Sequence, residues 1–356
     1  MRKGKGGVYM LCALIMAGGT GKRFWPLSTD QHPKQLLKLF SDKSMLRETV
    51  ERVMPLIPIE NIFIATNIVQ ADAIEQELPM LPKENLIIEP AFKDTAAAIG
   101  FGSLYIQRRR SEATLVVLAS DHLVLQPDEF IETLKIGASE AQLNQDIITL
   151  GIQPTRPEIG YGYIKVAHAI ELKKIFAVEK FLEKPKLEQA KEYVEAKTYL
   201  WNSGMFIFSI KTIMREIEKH MPKHFRVLKN IQFYIDQNLS GVALAEKTRP
   251  LFDDFERISI DYGVMEKSQH VKVIPSEFGW NDVGSFTAYE DVYDKDEEDN
   301  IVMHSDFKGV DSHGNIILSD NLEIKAVGLK DMIVVQSADK LLICNKYEID
   351  KMKKIL

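Results

Sequence analysis

Cysteine is scarce in this sequence: among 356 residues there are two, Cys12 and Cys344, far apart and each inside an apolar, strand-like segment. Two distant cysteines of this kind exclude a disulfide framework and predict buried, reduced thiols. No run of about 20 apolar residues occurs, which excludes a membrane-spanning helix. The start, residues 1–7, leads into a segment too short and strand-like for a signal peptide. We therefore expect a cytoplasmic protein without a membrane partner.

Excess positive charge is missing as well, because the formal net charge is −6 and the isoelectric point is near 5.8. Nucleic-acid-binding proteins usually carry a continuous basic surface. The cations here are scattered, so we expect no nucleic-acid partner. The arginine run 108–110 lies where a helix begun near Asp94 should end, and cations suit that end of the helix dipole.

The sequence does contain enough apolar material for a large core, with 45% hydrophobic and 27% charged residues. A length of 356 residues exceeds what one core usually serves, which predicts a large domain with a smaller one appended. The acidic stretch 291–299 indicates a solvated linker between them. We predict an N-terminal extension over residues 1–10, a catalytic domain over 11–290 and a C-terminal β domain over 291–356.

Short apolar runs alternate with amphipathic helical patterns through the first half of the chain. This alternation predicts a Rossmann-like α/β fold, with a mixed, mostly parallel sheet flanked by helices. Beyond residue 160 the rhythm is irregular, and beyond 299 short β segments are separated by glycines. Strands are predicted at 11–16, 61–65, 86–88, 115–119, 147–151, 174–181 and 205–210, and helices at 44–53, 128–143 and 187–196.

A glycine-rich, cationic loop follows the first strand, from Ala17 to Ser28. Glycines let the backbone approach a ligand closely, and successive N–H groups form an anion site to which Arg23 and Lys34 add charge. The loop lacks both the GKS or GKT ending of a P-loop and the GxGxxG spacing of a dinucleotide site. It predicts a polyphosphate-binding loop, and the alternative is a tight strand-to-helix connection with surface cations.

Two carboxylates are candidate magnesium ligands. Asp121 comes just after the buried strand at 115–119, and Asp282 lies in a short turn bracketed by Gly279 and Gly284. Mg²⁺ commonly takes one or two carboxylates together with substrate phosphates. The alternatives are a helix cap for Asp121 and a turn-stabilising side chain for Asp282.

Several sequence blocks, in one order, resemble the sugar-1-phosphate nucleotidylyltransferases and, among them, the mannose-1-phosphate guanylyltransferases. Besides the glycine loop and Pro33-Lys34-Gln35, these blocks are Glu89-Pro90 with Asp94-Thr95-Ala96, Asp121-His122, Gly160-Tyr161-Gly162-Tyr163, Phe181-Leu182-Glu183-Lys184-Pro185, Trp201-Asn202-Ser203-Gly204 and Trp280-Asn281-Asp282-Val283-Gly284.

The resemblance implies transfer of GMP from GTP to mannose 1-phosphate, with Mg²⁺ as cofactor and pyrophosphate as the second product. It also implies a homodimer and a small C-terminal domain similar to a left-handed β-helix, to which residues 328–344 are similar. Longer relatives carry a fused isomerase domain; this sequence ends at Leu356, and we expect no isomerase activity.

By the same resemblance, catalysis falls to Arg23, Lys34, Asp121 and Asp282, and the last two hold the metal. For Asp94, contact with guanine and capping of the following helix both remain open. The nucleotide-binding residues implied are Ala17, Gly18, Gly19, Thr20, Gly21, Glu89, Pro90, Asp94, Thr95, Ala96, Ser120 and Asp121.

The sugar phosphate is expected to meet carboxylate, amide and ammonium groups. The alternatives are a packing role for Tyr161 and a surface ion pair for Glu183 with Lys184. Trp201 and Trp280 are interpreted as structural walls. The sugar-phosphate-binding residues implied are Tyr161, Gly162, Glu183, Lys184, Asn202 and Asp282.

Two other functions compete with this prediction. One is the same chemistry on another sugar phosphate or nucleotide, such as a heptose phosphate or dTTP, because one inverted hydroxyl changes few side chains. The other is a noncatalytic nucleotide-sugar-binding regulatory subunit. The joint presence of Arg23, Lys34, Asp121 and Asp282 argues against the second, because a sensor has no need for metal and leaving-group positions.

Overall fold

The computed structural model describes residues 10–19, 21–320 and 322–355. Thr20 and nearly all of the predicted N-terminal extension lie outside the described residues. The described chain forms two compact units. The sheet unit comprises the residues up to Gly18, Glu48–Ser120 and Val124–Trp280, and the β-helix unit comprises Gly19–Arg47, Asp121–Leu123 and Asn281–Leu356. The boundary expected near residue 290 stays a prediction.

A nine-stranded sheet forms the centre of the sheet unit, in the order β3-β2-β1-β4-β9-β6-β10-β8-β7. Only β8 and β9 run against the other seven of these strands, so the predicted mixed, mostly parallel sheet is confirmed. The strands of this sheet are β1 (Leu11–Met16), β2 (Ile62–Asn67), β3 (Leu86–Glu89), β4 (Thr114–Ala119), β6 (Ile147–Ile152), β7 (Tyr163–Val166), β8 (Phe176–Leu182), β9 (Tyr199–Ser209) and β10 (Val271–Ser276), whereas β5 (Leu123–Val124) lies outside it.

Helices complete the α/β architecture, with long apolar stretches such as Ala96–Ile106 buried. The arginine run ends α3, and the Arg109 guanidinium donates to the Tyr105 carbonyl at 3.2 Å, which fits a helix C-terminus. The helices are α1 (Met45–Val53), α2 (Ala71–Glu77), α3 (Asp94–Arg109), α4 (Pro127–Asn144), α5 (Leu187–Ala196), α6 (Ile210–His220), α7 (Pro222–Asp236) and α8 (Gly241–Phe252).

Strand register brings the two key loops to one edge of the sheet. Met16 at the end of β1 pairs with Ala119 at the end of β4. The Ser120 N–H donates to the Met16 carbonyl at 3.1 Å, so both strands finish at the same level. Ligands of parallel α/β sheets bind beyond such carboxyl ends.

The β-helix unit winds successive strands alternately into two sheets. Strands β12, β14 and β16 are parallel neighbours in one sheet, β13 and β15 pair in parallel in another, and β17 closes the first sheet antiparallel to β16. This alternation is the geometry of a β-helix, as expected. The strands of the β-helix are β12 (Ile301–Met303), β13 (Asp306–Val310), β14 (Ile316–Ser319), β15 (Glu323–Val327), β16 (Met332–Ser337) and β17 (Lys340–Asn345), and β11 (Trp280–Asn281) precedes them in the chain, outside both sheets.

Buried asparagines join the turns of this β-helix. The Asn315 side chain donates to Asn300 Oδ1 and to the Leu329 carbonyl, both at 2.9 Å, and accepts from the Met332 N–H at 2.9 Å. Asn315 is fully buried, so these bonds satisfy polar groups that water cannot reach.

One apolar core lies inside the β-helix unit and includes residues of the glycine loop and of the segment that follows it. Phe24 packs on Phe286 with ring centroids 4.9 Å apart, and Ile316, Ile333 and Ile349 belong to the same cluster. Residues near the start of the chain therefore share a core with the C-terminal strands.

Cys12 and Cys344 are both free thiols, as predicted. Cys12 is buried in β1, whereas Cys344 is half-buried, because β17 is the last strand of its sheet. Within the described ranges, no helix combines the length and apolarity needed to cross a bilayer.

Candidate active site

The glycine loop has one position that no other residue fits. Gly21 has φ +59°, in the left-handed region, and a Cβ there would lie 2.6 Å from the Lys34 backbone nitrogen. Both the conformation and the close approach require glycine. The loop is therefore built directly against the segment that carries Lys34.

Hydrogen bonds hold this loop in place. The Ser28 hydroxyl donates to the Gly21 carbonyl at 2.8 Å, and the Phe24 N–H donates to the same oxygen at 3.0 Å. The Gln35 side-chain amide donates to the Gly19 carbonyl at 3.3 Å. The Pro-Lys-Gln block thus supplies a loop anchor in Gln35 and a cation in Lys34.

The Lys34 ammonium contacts both predicted metal-ligand residues within the β-helix unit. Its ammonium lies 2.9 Å from Asp121 Oδ2 and donates to the backbone carbonyl of Asp282 at 2.8 Å. Lys34 is only 6% exposed, which strengthens both interactions. Burial by itself would raise the pKa of the Asp121 carboxyl, but the Lys34 and His122 charges and hydrogen bonding hold this pKa below its ordinary value.

The local geometry bears on the alternative roles of Asp121 as a helix cap and of Asp282 as a turn-stabilising side chain. Asp121 begins no helix, since β5 follows it two residues later. In the turn after Trp280, the side chain that accepts a backbone N–H is Asn281, whose Oδ1 lies 2.6 Å from the Val283 nitrogen. Asn281 therefore stabilises this turn.

Arg23 contacts the turn that carries Asp282. Its guanidinium donates to the Gly284 carbonyl at 3.3 Å, and its Nε lies 3.4 Å from Asp350 Oδ1 near the C-terminus. The structure thus brings Arg23, Lys34, Asp121 and Asp282, with Gly19 and Gly21, into one unit.

The residues expected to meet the base lie in the sheet unit. Glu89 ends β3, and burial raises the pKa of its carboxyl to about 8. A Cβ on Gly18 would lie 3.9 Å from Glu89 Oε1, so this carboxyl borders the start of the glycine loop. Ala17 and Ser120 flank the carboxyl ends of β1 and β4.

The next base-side block is tied to the segment before Asp261. Asp94 has φ +69°, and its carboxylate accepts the Thr95 N–H at 2.8 Å, a bond that serves the start of α3. Thr95 Oγ1 accepts the Ile260 N–H at 2.9 Å, and the Ala96 N–H reaches the Ile258 carbonyl at 3.3 Å. Pro90 offers its carbonyl to Arg249 at 2.7 Å.

Three residues predicted for the sugar meet elsewhere in the sheet unit. A Cβ on Gly162 would run into the Glu183 carboxyl group, and the Gly162 carbonyl accepts the Asn202 N–H at 2.8 Å. The Glu183 side chain is only 8% exposed. Burial, followed by the nearby Asp261 charge, raises the pKa of Glu183 to about 7.

Of the other residues predicted for the sugar, Tyr161 packs among aromatic rings, whereas Lys184 is exposed. Tyr161 packs edge-on against Trp201 and Trp280, with ring centroids 5.2 Å and 5.3 Å apart. Both tryptophans thus pack against a neighbouring ring, in agreement with the structural role interpreted from the sequence. Lys184 is exposed, with its ammonium 3.7 Å from Glu183 Oε2. Because Glu183 is buried, this pair is not an ordinary surface ion pair.

Asp261 is the residue that sequence reasoning missed. It begins a short π-helical turn, Asp261–Met265, and its carboxylate accepts from the Asn202 side-chain amide at 2.9 Å. No local motif marks it, because its partner lies 59 residues earlier in the chain. Among the described residues, no cluster of three or more His, Cys, Asp or Glu side chains is arranged to hold a metal.

Comparison with known proteins gives consistent matches. The family described as nucleotidyl transferase matches residues 12–299, and the MannoseP isomerase/GMP-like beta-helix domain matches residues 307–356. Mannose-1-phosphate guanylyltransferases from Salmonella muenchen and Klebsiella pneumoniae are each 34% identical over 97% of this chain, covering 72% and 73% of their own lengths. A crystal structure of mannose-1-phosphate geranyltransferase from Thermus thermophilus is 31% identical, with a TM-score of 0.85, covering 97% of this chain and 98% of that one.

Proposed function

The chain belongs to the nucleotidyl transferase family and, within it, to the mannose-1-phosphate guanylyltransferases, and we propose that it transfers GMP from GTP to α-D-mannose 1-phosphate. A phosphate oxygen of the sugar phosphate attacks the α-phosphorus of GTP in line. The bond from that phosphorus to the β-phosphate oxygen breaks, so the products are GDP-mannose and pyrophosphate. No protein nucleophile is needed, because a phosphate monoester is already nucleophilic.

The observation that carries this proposal is the contact of one buried ammonium, on Lys34, with both Asp121 and Asp282. Two anionic substrates must meet for this reaction, and at 4 Å two unit charges repel by about 4 kcal/mol at an effective dielectric near 20. A fixed cation beside the glycine loop lowers that repulsion without reorganising. We assign Lys34 to charge on the α-phosphate or the leaving pyrophosphate.

The donor set here fits Mg²⁺. The pKa of Asp121 is held below its ordinary value against burial, so its carboxylate is ionised at neutral pH and offers hard oxygen ligands. We propose that Asp121 and Asp282 hold the ion, with substrate phosphates as further ligands. When bound, the ion supplies positive charge that neutralises the phosphate groups.

The other contacts are assigned by chemistry. Backbone N–H groups of the glycine loop and the Arg23 guanidinium bind the triphosphate, while Glu89 and the Asp94 block face the base. In the sheet unit, Glu183 and Asn202 offer acceptor and mixed donor–acceptor groups to sugar hydroxyls, and Lys184 offers charge to the sugar phosphate. We also propose a homodimer, which sedimentation would test.

Pyrophosphate release tests the proposal, measured with GTP, ATP, dTTP and UTP against mannose, glucose and heptose 1-phosphates. We expect GTP with mannose 1-phosphate to turn over, activity to stop with a chelator and return with Mg²⁺. Asp121→Asn and Asp282→Asn should lose activity, whereas the exposed Asp306→Asn should not. Turnover of another pair alone would overturn the substrate assignment, and no turnover with any pair would favour the noncatalytic subunit.

A further inference from the structure

The Asn202 side chain is held at both ends. Its Oδ1 accepts from the Gly204 N–H at 3.1 Å and lies 3.3 Å from the Thr149 hydroxyl, which also reaches the Met205 carbonyl at 3.1 Å. Its Nδ2 donates to Asp261 Oδ1 at 2.9 Å. Because an amide flip would face oxygen toward the Asp261 carboxylate and nitrogen toward the Gly204 N–H, this orientation is fixed.

Asp261 sets the direction of that amide group. Asn202 and Glu183 lie side by side, since the Glu183 carboxyl and the Asn202 Cβ both approach the place that a Cβ on Gly162 would take. Asp261 is itself half-buried. Its carboxyl therefore supports the Asn202 amide from behind through one hydrogen bond.

We propose that Asp261 is a positioning residue for the sugar: it aims the Asn202 amide at a sugar hydroxyl and favours a Glu183 carboxyl that carries a proton. Such a carboxyl donates to one hydroxyl oxygen and accepts from the next, which suits the vicinal hydroxyls of a sugar phosphate. The inference rests on the proposed function and deepens it by assigning sugar recognition partly to a residue behind Asn202 and Glu183.

The charges around Glu183 agree with this arrangement. Burial first, and then Asp261 and Glu266, raise the pKa of Glu183, while Lys184 and the Asn202 hydrogen bond lower it, with a net value of about 7. The pKa of Asp261 is also raised, chiefly by burial. Glu266 additionally accepts the Glu183 N–H at 3.4 Å, so two acids face Glu183 against one cation.

Steady-state kinetics of the full chain test the proposal with two variants. Asp261→Ala removes charge and acceptor, and we expect KM for mannose 1-phosphate to rise about tenfold, equivalent to about 1.4 kcal/mol, with KM for GTP unchanged. Asp261→Asn keeps an acceptor but removes the charge. Its KM for mannose 1-phosphate should rise less. In the pH profile of kcat/KM, the limb that reports the pKa of Glu183 should move to lower pH, because a neighbouring negative charge is gone.

The exposed Asp254→Asn is the matched control and should behave as the unmodified chain. The proposal would be overturned if KM for mannose 1-phosphate and the pH profile of kcat/KM were both unchanged. It would also be overturned if KM for mannose 1-phosphate and KM for GTP rose equally. If Asp261→Ala does not fold, the pH profile of Asp261→Asn distinguishes these outcomes. If the unmodified chain turns over a different sugar phosphate, the same comparison is made with that substrate, so the two proposals fail separately.

Discussion

The ammonium of Lys34 lies 2.9 Å from Asp121 Oδ2. The same nitrogen is 2.8 Å from the Asp282 carbonyl and 5.6 Å from the centre of the Phe24 ring. One buried cation thus links the segment after β4, the turn after β11 and the glycine loop. Its position makes Lys34 the side chain whose loss should disturb the site most.

Lys34→Met removes this charge but keeps much of the apolar stem. We expect kcat for pyrophosphate formation to fall by roughly 10²- to 10³-fold, as for loss of one preorganised donor to developing charge. Lys38→Met, exposed in the same segment, is the matched control and should retain activity. A Lys34→Met enzyme with kcat near that of Lys38→Met would contradict the role assigned to Lys34.

Gly21→Ala should destabilise the protein more than an alanine placed in an equally left-handed but open position. Gly328 has φ +69° with no atom near its added Cβ, so Gly328→Ala measures backbone strain alone, about 1–2 kcal/mol. Gly21→Ala adds the collision with Lys34 and should also reduce activity. Urea unfolding of both variants gives the comparison. Equal losses of stability would show that the loop moves enough to accommodate the added methyl group.

Glu183→Gln should change how stability depends on pH. A carboxyl whose pKa rises from 4.5 unfolded to about 7 folded binds more protons when folded, so its contribution to stability falls as pH rises between these values. Glutamine does not titrate. The unfolding free energy of Glu183→Gln relative to the unmodified chain should therefore increase over this interval, by on the order of 3 kcal/mol at 1.36 kcal/mol per unit.

Urea unfolding at a series of pH values measures this difference. Glu188→Gln, at an exposed position on α5, should follow the unmodified chain throughout. Parallel stability curves for Glu183→Gln and the unmodified chain would mean that Glu183 keeps its ordinary pKa.

Asn315→Ala should destabilise the β-helix unit. It removes the bonds to Asn300 and Leu329 and leaves the Met332 N–H without its acceptor in a buried place. Unsatisfied buried groups cost about 1–3 kcal/mol each, so we expect a loss of about 3 kcal/mol in denaturant unfolding. Asn144→Ala, on an exposed face of α4, should cost less than about 0.5 kcal/mol. Similar losses for the two would show that water replaces the Asn315 bonds.

Local patterns were enough to predict most elements. The strand at 11–16 and the helix at 187–196 have the predicted bounds, since apolar periodicity and flanking polar residues act within a few positions. The strand predicted at 205–210 is the second half of β9, Tyr199–Ser209, because Trp201-Asn202-Ser203-Gly204 reads as a turn although the sheet holds it extended. Tertiary pairing overrides local preference there.

Short motifs were enough to group three candidate site residues, whose roles stay predictions. Lys34, Asp121 and Asp282 could be chosen from loops at strand ends, and the structure brings them together. Asp261 could not, because its importance comes from contact with Asn202 across the sheet unit. The sequence also suggests contiguous domains, whereas Gly19–Arg47 belongs to the same unit as the C-terminal strands, and no local pattern records so distant an association.

The core that Phe24 shares with Ile333 and Ile349 has a consequence for biosynthesis. A nascent chain emerges from the ribosome N-terminus first, so the segment around the glycine loop is made about 300 residues before its packing partners. Until those strands appear, Phe24 and Leu37 lack their apolar surroundings. We therefore expect activity to arise only after those strands have been made, with the loop segment exposed to chaperones and proteases in the meantime.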